Sequence, residues 1–242
     1  LMPDQSPVLD LPAMIKQSAA EGKPDLWSHP IAAATMGLEG KRMAEIGLMK
    51  RSGAKAVATG RHWIADSGIM LRLLQYCKSL DLTLIVHSED AGLTQGAVAT
   101  NSETATRLGL SSATAAAEAI AIARDIALVR ETGAHVHFRQ VTTESGLDLI
   151  RAAKSEQLPV TCGITPAHLL LSDIAISDFR TFTRLSPPLR SEENRLACIA
   201  AVKDVIHSGS RWHGFDRSPV RAAIRQSCEN PGSRGRATAT GI

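Results

Sequence analysis

Short apolar runs alternate with longer amphipathic stretches from the start of the chain to about residue 206. The short runs are rich in aliphatic and β-branched residues, and they predict buried strands at 55–58, 82–86, 135–138, 159–162 and 181–185. The longer stretches predict helices at 67–78, 115–130, 144–154 and 167–172, and a last helix after Ser191. This alternation indicates parallel strands with helical crossovers. The pattern alone fits both a (β/α) barrel and a doubly wound sheet.

The spacing of apolar and capping residues predicts the buried faces and the ends of the helices. In the helix at 115–130, one apolar stripe recurs at a helical period: Ala115, Ala119, Ile122, Ile126 and Val129. Gly133 is placed to end this helix, and Thr142 or Thr143 is placed to cap the next one. Ser191 is expected to cap the last helix, whose apolar residues share one face: Leu196, Ile199, Val202 and Ile206.

The character of the sequence changes after residue 206. Residues 207–242 contain six arginines, no lysine, clustered Gly, Ser and Pro, and no sustained hydrophobic period. A disordered basic tail is one interpretation of this composition. The bias toward arginine alone favours a second one, translation of a GC-rich gene in the wrong frame. We therefore divide the chain into a partial domain at 1–206 and an atypical Arg/Gly/Ser-rich tail at 207–242.

Composition narrows the classes of protein that fit. A chain of 242 residues with 44% hydrophobic and 3% aromatic residues builds its core mainly from Leu, Ile, Val and Ala. The net charge of +3 is small and no basic cluster is interleaved with aromatics, so we expect no nucleic-acid groove. No apolar run approaches the roughly 20 residues of a membrane span. The cysteines are scattered, which favours a reduced, cytoplasmic protein over a disulfide framework: Cys77, Cys162, Cys198 and Cys228.

The segment VHSED at 86–90 is the most suggestive local signal for chemistry, because it stands at the end of a predicted strand. In a parallel barrel the carboxyl ends of the strands face the active site, so His87 can reach a metal ion or a substrate. A single histidine also fits a structural or surface role. The segment by itself therefore does not define a site.

Several collinear blocks strengthen this assignment. They read MPDQSP at 2–7, GLEGK at 37–41, HSED at 87–90, TRLGL at 106–110, AAE at 116–118, TPAHL at 165–169 and SPPLRSEE at 186–193. In order and spacing, over residues 2–206, the blocks resemble bacterial dihydroorotases and dihydroorotase-like proteins of the type I, allantoinase-related group. The resemblance implies an incomplete TIM-like (β/α) barrel of the amidohydrolase superfamily.

Active members of that family hydrolyse the cyclic amide of dihydroorotate to N-carbamoyl-L-aspartate, reversibly, in pyrimidine biosynthesis. The resemblance therefore implies dihydroorotate as a small-molecule substrate and zinc as the cofactor, usually as a pair of ions. Zinc lowers the pKa of a bound water and polarises the amide carbonyl, while an aspartate transfers the proton.

The family's metal ligands are only partly matched by this sequence. His87 is the metal ligand that the resemblance carries over. The bridging carboxylate falls on about Thr59, and the next ligand histidine is replaced by Gln140. The family's His-x-His element would precede Leu1, where we expect the true N-terminus to be missing, and its Asp-His element has no match near 210–220. We therefore expect an incomplete zinc site.

Other polar residues near the expected mouth of the barrel have simpler interpretations. Ser186 replaces the family's substrate-contacting Asn and is the substrate-binding residue that the resemblance assigns. We expect His168 to organise its loop through hydrogen bonds, and Arg190 to pair with Glu192 or Glu193.

Two further histidines, His135 and His137, alternate along a predicted strand and therefore share one of its faces. A cryptic metal pair there is an alternative to two structural histidines. We favour the structural interpretation.

The substitutions leave three hypotheses about function. The first is a dihydroorotase-family cyclic amidohydrolase that is inactive as the chain stands. The second is a non-catalytic, dihydroorotase-like structural partner of aspartate transcarbamoylase, which Thr59, Gln140 and Ser186 favour because they replace functional residues inside the matched region. The third is a pseudogene product that does not fold stably.

Overall fold

The computed structural model describes residues 1–21, 23–25, 27–179 and 181–205, so the tail predicted at 207–242 lies outside the described residues. The strands are β1 (Ile31–Ala33), β2 (Ala56–Ala58), β3 (Leu84–Val86), β4 (Ala99–Thr100), β5 (Ser112–Ala113), β6 (Val136–Phe138) and β7 (Val160–Cys162). The helices are α1 (Pro12–Ala20), α2 (Ile46–Arg51), α3 (Ser67–Ser79), α4 (Ala91–Thr94), α5 (Glu103–Arg107), α6 (Ala116–Thr132), α7 (Glu144–Ser155), α8 (Pro166–Leu170) and α9 (Glu192–Ala201). Short 3₁₀ turns occur at Met36–Leu38, Asp173–Ile176 and Thr181–Thr183. In this part of the chain no helix is long and apolar enough to cross a membrane.

In the described part of the chain, a five-stranded parallel sheet has the order β1-β2-β3-β6-β7, and β4 pairs with β5 separately. Helices α2, α3, α6 and α7 lie in the connections between successive strands of the larger sheet. The predicted parallel strands with helical crossovers are therefore confirmed. The N-terminal segment lies along the free side of β1, because Ile31 N donates to Leu1 O and Ala33 N donates to Leu9 O, both at 2.9 Å.

The faces of the larger sheet bury different kinds of side chain. One face, which we call the inner face, carries a small apolar cluster: Ile31, Ala56, Ala58 and Ile85. The register aligns Ile85 with His137 and His137 with Thr161, so the inner face becomes polar across β6 and β7. The opposite face carries larger, fully buried side chains such as Leu84 and Phe138, as expected where crossover helices cover a parallel sheet.

The predicted helix ends are confirmed. Gly133 follows α6 in a left-handed conformation with φ 63°, which suits a residue without a Cβ. The Thr143 side chain caps α7 by accepting from Gly146 N, and the Ser191 side chain caps α9 by accepting from Asn194 N. The apolar stripe on α6 is buried over its C-terminal part: Ile122, Ile126 and Val129.

The strand predicted at 181–185 is wrong. Thr181–Thr183 forms a 3₁₀ turn, and Phe182 is 68% exposed. Thr and Phe favour strands because they pack on a pleated, half-buried surface, and that preference has no effect without a neighbouring strand. Among the described strands, none pairs with this segment.

The apolar face predicted for the last helix, α9, is not its most buried face, and Ile206 of that prediction lies outside the described residues. Its buried residues are Arg195, Cys198 and Ala201, whereas Leu196 is 53% exposed. The Arg195 guanidinium donates to Leu169 O at 2.8 Å and pairs with Glu192, and these contacts fix the rotation of the helix. Arg195 is therefore buried with its charge paired, whereas the apolar pattern had predicted that Leu196 would face inward.

Candidate active site

Buried polar residues follow β3 at the carboxyl edge of the sheet. His87, Ser88 and Glu89 are each less than a tenth exposed. His87 N donates to Thr59 Oγ1 at 3.2 Å, which ties the residue after β3 to the residue after β2. The carboxyl ends of parallel strands are where α/β proteins bind their ligands, so this edge is the candidate site.

Glu89 connects the residues that the resemblance assigned to metal and substrate. Its Oε2 lies 3.1 Å from His87 Nε2 and 3.2 Å from Ser186 Oγ. Burial raises the pKa of Glu89, but His87, Arg190 and the Ser186 hydroxyl together hold it below its ordinary value. An ionised carboxylate can only accept hydrogen bonds, so Nε2 of His87 is the donor in this contact.

Arg190 points inward, behind the pair formed by Glu89 and His87. Its side chain is 2% exposed, and Nη2 lies 3.7 Å from Glu89 Oε1 and 3.6 Å from Glu118 Oε2. Its Nε donates to Thr142 Oγ1 at 3.0 Å. This corrects the predicted pairing of Arg190 with Glu192 or Glu193: a buried guanidinium is stabilised by buried carboxylates more than by exposed ones.

Glu118 on α6 is completely buried and holds the connection between β6 and α7. Its carboxylate accepts from the backbone N and the hydroxyl of Thr142, at 2.9 and 2.5 Å. It also accepts from the backbone N and the hydroxyl of Thr143, at 2.9 and 2.7 Å. In the sequence, Glu118 was noted only as part of the AAE segment at 116–118, and no role was predicted for it. Its position next to the apolar stripe of the same helix could have indicated a buried carboxylate.

His168 organises the loop that carries Ser186. Its Nε2 lies 2.9 Å from Pro187 O and its Nδ1 lies 2.6 Å from Thr165 Oγ1. A carbonyl only accepts, so Nε2 carries the proton and Nδ1 accepts from the threonine hydroxyl. Burial lowers the pKa of His168, which favours this neutral form. The predicted structural role of His168 is confirmed.

The residues at the remaining ligand positions are already engaged or neutral. Thr59 accepts from the His87 backbone, and Gln140 is a half-buried amide. His137 Nδ1 lies 2.8 Å from Thr161 Oγ1, and burial lowers its pKa to about 4, while His135 is exposed. Within the residues that the structure describes, no group of three or more His, Cys, Asp or Glu side chains could hold a metal ion.

The parallel sheet, its helical crossovers and its polar carboxyl edge form part of a (β/α) barrel, and the described strands do not close on themselves. L-hydantoinase (dihydropyrimidinase) from Arthrobacter aurescens has a similar fold, with a TM-score of 0.69 and 19% identity over 84% of this chain and 47% of that one. D-hydantoinase from Bacillus sp. AR9 matches 72% of this chain and 40% of its own, with a TM-score of 0.57 and 20% identity. At these identities the likeness shows the fold alone.

Sequence similarity identifies the family. The model of the dihydro-orotase-like family matches residues 11–145. A dihydroorotase from Pelotomaculum thermopropionicum is 39% identical over 210 residues, covering 86% of this chain and 48% of the relative. A dihydroorotase-like protein from Pseudomonas aeruginosa is 36% identical over 205 residues, covering 84% and 48%. The chain therefore belongs to the dihydroorotase-like family, and it spans about half the length of these relatives.

Proposed function

We propose that this chain is a cyclic-amide-binding member of the dihydroorotase family that does not hydrolyse dihydroorotate as it stands. The observation that carries the proposal is the contact of one Glu89 oxygen with both His87 and Ser186. It brings together a candidate metal ligand and a candidate substrate contact from distant parts of the chain. The ligand that we propose is dihydroorotate, an intermediate of pyrimidine biosynthesis.

The donor set argues against a zinc centre built by the described residues. Zinc needs several N, O or S donors that converge on one point, with a position left for water. His87 offers Nδ1, but Thr59 and Gln140 offer only neutral oxygen or amide groups. In the family, zinc supplies the activated water and the polarised carbonyl. These residues do not fit that role, so we derive no hydrolytic step from them.

The side chains that are present can bind and orient a ligand. Glu89 fixes the His87 ring through Nε2, as carboxylates do for functional histidines. Ser186 carries a hydroxyl on a loop that two contacts fix in place. His168 Nε2 contacts Pro187 O, and Arg190 Nε donates to Thr142 Oγ1. We propose that Ser186 contacts the substrate and that His87 faces it through Nδ1.

The free, buried thiols support a reducing compartment, which we propose to be the cytoplasm. Cys77, Cys162 and Cys198 are unpaired, and burial raises the pKa of each to about 12. Such thiols are packing groups rather than nucleophiles.

A second candidate function is that of a non-catalytic structural partner of aspartate transcarbamoylase. The neutral residues Thr59 and Gln140 at expected ligand positions favour it, as does the similarity to a dihydroorotase-like protein. Stoichiometric co-elution of the purified chain with aspartate transcarbamoylase from the same cells would support this candidate. Separate elution of the two proteins at micromolar concentration would count against it.

Elemental analysis combined with a hydrolysis assay tests the main proposal. After incubation with excess zinc and gel filtration, we expect less than one zinc ion per chain and no turnover of dihydroorotate. Dihydroorotate should still protect the chain against thermal unfolding, and Ser186→Ala should reduce that protection relative to the exposed control Ser155→Ala. Stoichiometric zinc with turnover would refute the proposal.

A further inference from the structure

Two arginines share one carboxylate oxygen at the carboxyl edge of the sheet. Arg61 Nε lies 3.2 Å from Asp4 Oδ2, and Arg139 Nη1 lies 3.9 Å from the same oxygen. Arg61 follows β2, Arg139 follows β6, and Asp4 belongs to the N-terminal segment along β1. Within this trio, one carboxylate faces two guanidinium groups, so one positive charge is not compensated.

The contact between Arg139 and Asp4 leaves a donor unused. A separation of 3.9 Å is an ion pair but is too long for a hydrogen bond. Nη1 of Arg139 is buried and has no hydrogen-bond partner, although the side chain as a whole is 28% exposed. A buried N–H without an acceptor is costly, so this guanidinium is suited to receive an acceptor from outside the chain.

Arg139 is also next to the candidate active site. The register pairs Val86 with Phe138, so the residues that follow them, His87 and Arg139, are neighbours at the carboxyl edge. Arg139 N donates to Val86 O at 3.0 Å, which holds this alignment. Alternation along β3 and β6 places both side chains on the inner face.

We propose that Arg61 and Arg139 form a binding site for a small organic carboxylate beside His87, and that Asp4 is an internal competitor for it. A carboxylate presents two oxygens in one plane, which match the parallel N–H groups of a guanidinium. The identification of the ligand as the carboxylate of dihydroorotate or N-carbamoyl-L-aspartate rests on the proposed function. The anion site itself requires neither metal nor turnover.

Calorimetric titration of the chelator-treated full chain with N-carbamoyl-L-aspartate tests this site. Arg139→Gln should weaken binding at least about tenfold, the loss expected for one charge-assisted contact. Asp4→Asn should bind about threefold more tightly than the unmodified chain, because the competing charge of a partly exposed ion pair is gone. The control Arg130→Gln, which removes an exposed arginine that pairs with Glu156, should leave the affinity unchanged.

The direction in which Asp4→Asn changes the affinity for N-carbamoyl-L-aspartate distinguishes a ligand site from a structural ion pair. If Asp4→Asn binds no more tightly than the unmodified chain, or if Arg139→Gln binds equally well, the proposal is overturned. If Arg139→Gln does not fold, Arg61→Gln replaces it, because the Arg61 side chain is 73% exposed, and it too must weaken binding. Turnover with zinc would refute the proposed function without affecting this outcome, since the titration measures no hydrolysis.

Discussion

At the scale of single residues, buried charges at the carboxyl edge compensate one another. Arg190 lies within 4 Å of two carboxylates, those of Glu89 and Glu118, and each carboxylate has further donors of its own. Thr142 and Thr143 donate to both oxygens of Glu118, whereas His87 and Ser186 contact only Oε2 of Glu89, and its Oε1 faces Arg190 at 3.7 Å. Removal of one charge would leave its partner buried without an opposite charge. The free-energy cost of that state is much larger than the stability that the intact group of charges contributes.

Glu118→Gln is expected to lower the free energy of unfolding by about 3 kcal/mol, because it removes the charge opposite Arg190 at a fully buried position. Urea denaturation followed by circular dichroism measures the change. The matched control is Glu156→Gln, which removes an exposed carboxylate that pairs with Arg130, and it should have little effect. Equal effects of the two substitutions would contradict the assignment of Glu118 as the central acceptor.

His137 is expected to make stability depend on pH. Burial lowers its pKa from 6.5 to about 4, so between these values the unfolded chain binds more protons than the folded one. Its contribution is therefore fully present above pH 6.5 and is lost as the pH falls toward 4. His137→Gln should flatten the decline in unfolding free energy over this window, whereas the exposed control His135→Gln should not. An unchanged slope for His137→Gln would show that its ring is not desolvated.

At the scale of elements, α6 anchors the loop that follows β2. Arg124 on α6 donates to Ile64 O at 2.5 Å, and its guanidinium lies 4.4 Å from the centre of the Trp63 ring. Asp125 holds the same guanidinium through Nε and Nη2, at 2.9 and 2.7 Å. Burial raises the pKa of Asp125 to about 6 in spite of Arg124. The loop begins at Thr59, so this anchor also supports the candidate site.

Arg124→Met combined with Asp125→Asn, which avoids leaving the buried Asp125 carboxylate without its partner, should release that loop while leaving the sheet intact, because the hydrogen bond and most of the stacking energy on Trp63 are lost. Hydrogen exchange should become faster at Trp63–Asp66 and stay unchanged in β3. Arg130→Met, a substitution in the last turn of the same helix, provides the control. If hydrogen exchange at residues 63–66 is as slow in the variant as in the unmodified chain, Arg124 does not anchor this loop.

Sequence reasoning succeeded where the cause of a structure is local and failed where it is tertiary. The strands at 82–86 and 159–162 follow from short apolar runs, and Ser191 follows from capping chemistry. The inward turn of Arg190 depends on Glu118 and Glu89, which are distant in sequence, and no local pattern reports their approach. The same reason explains the wrong face predicted for α9.

At the scale of the whole molecule, the hydrophobic pattern fitted both a barrel and a doubly wound sheet. The sequence blocks that resemble dihydroorotases favoured the barrel, and the similarity of fold to L-hydantoinase supports that prediction. The described residues form an open five-stranded sheet, and the curated relatives are about twice as long as the matched region. Fold and family are therefore shown by independent observations, whereas the proposed ligand binding rests on the few side chains at the carboxyl edge.

The most direct test of that edge is a nitrogen-15 spectrum of the histidine side chains, recorded with and without one equivalent of zinc. His87 is assigned by comparison with His87→Gln. We predict that Nε2 carries a proton directed at Glu89 and that the Nδ1 signal is unchanged by zinc. An Nε2 without a proton would contradict the contact with Glu89, and a stoichiometric shift of Nδ1 on addition of zinc would contradict the proposed lack of a metal centre.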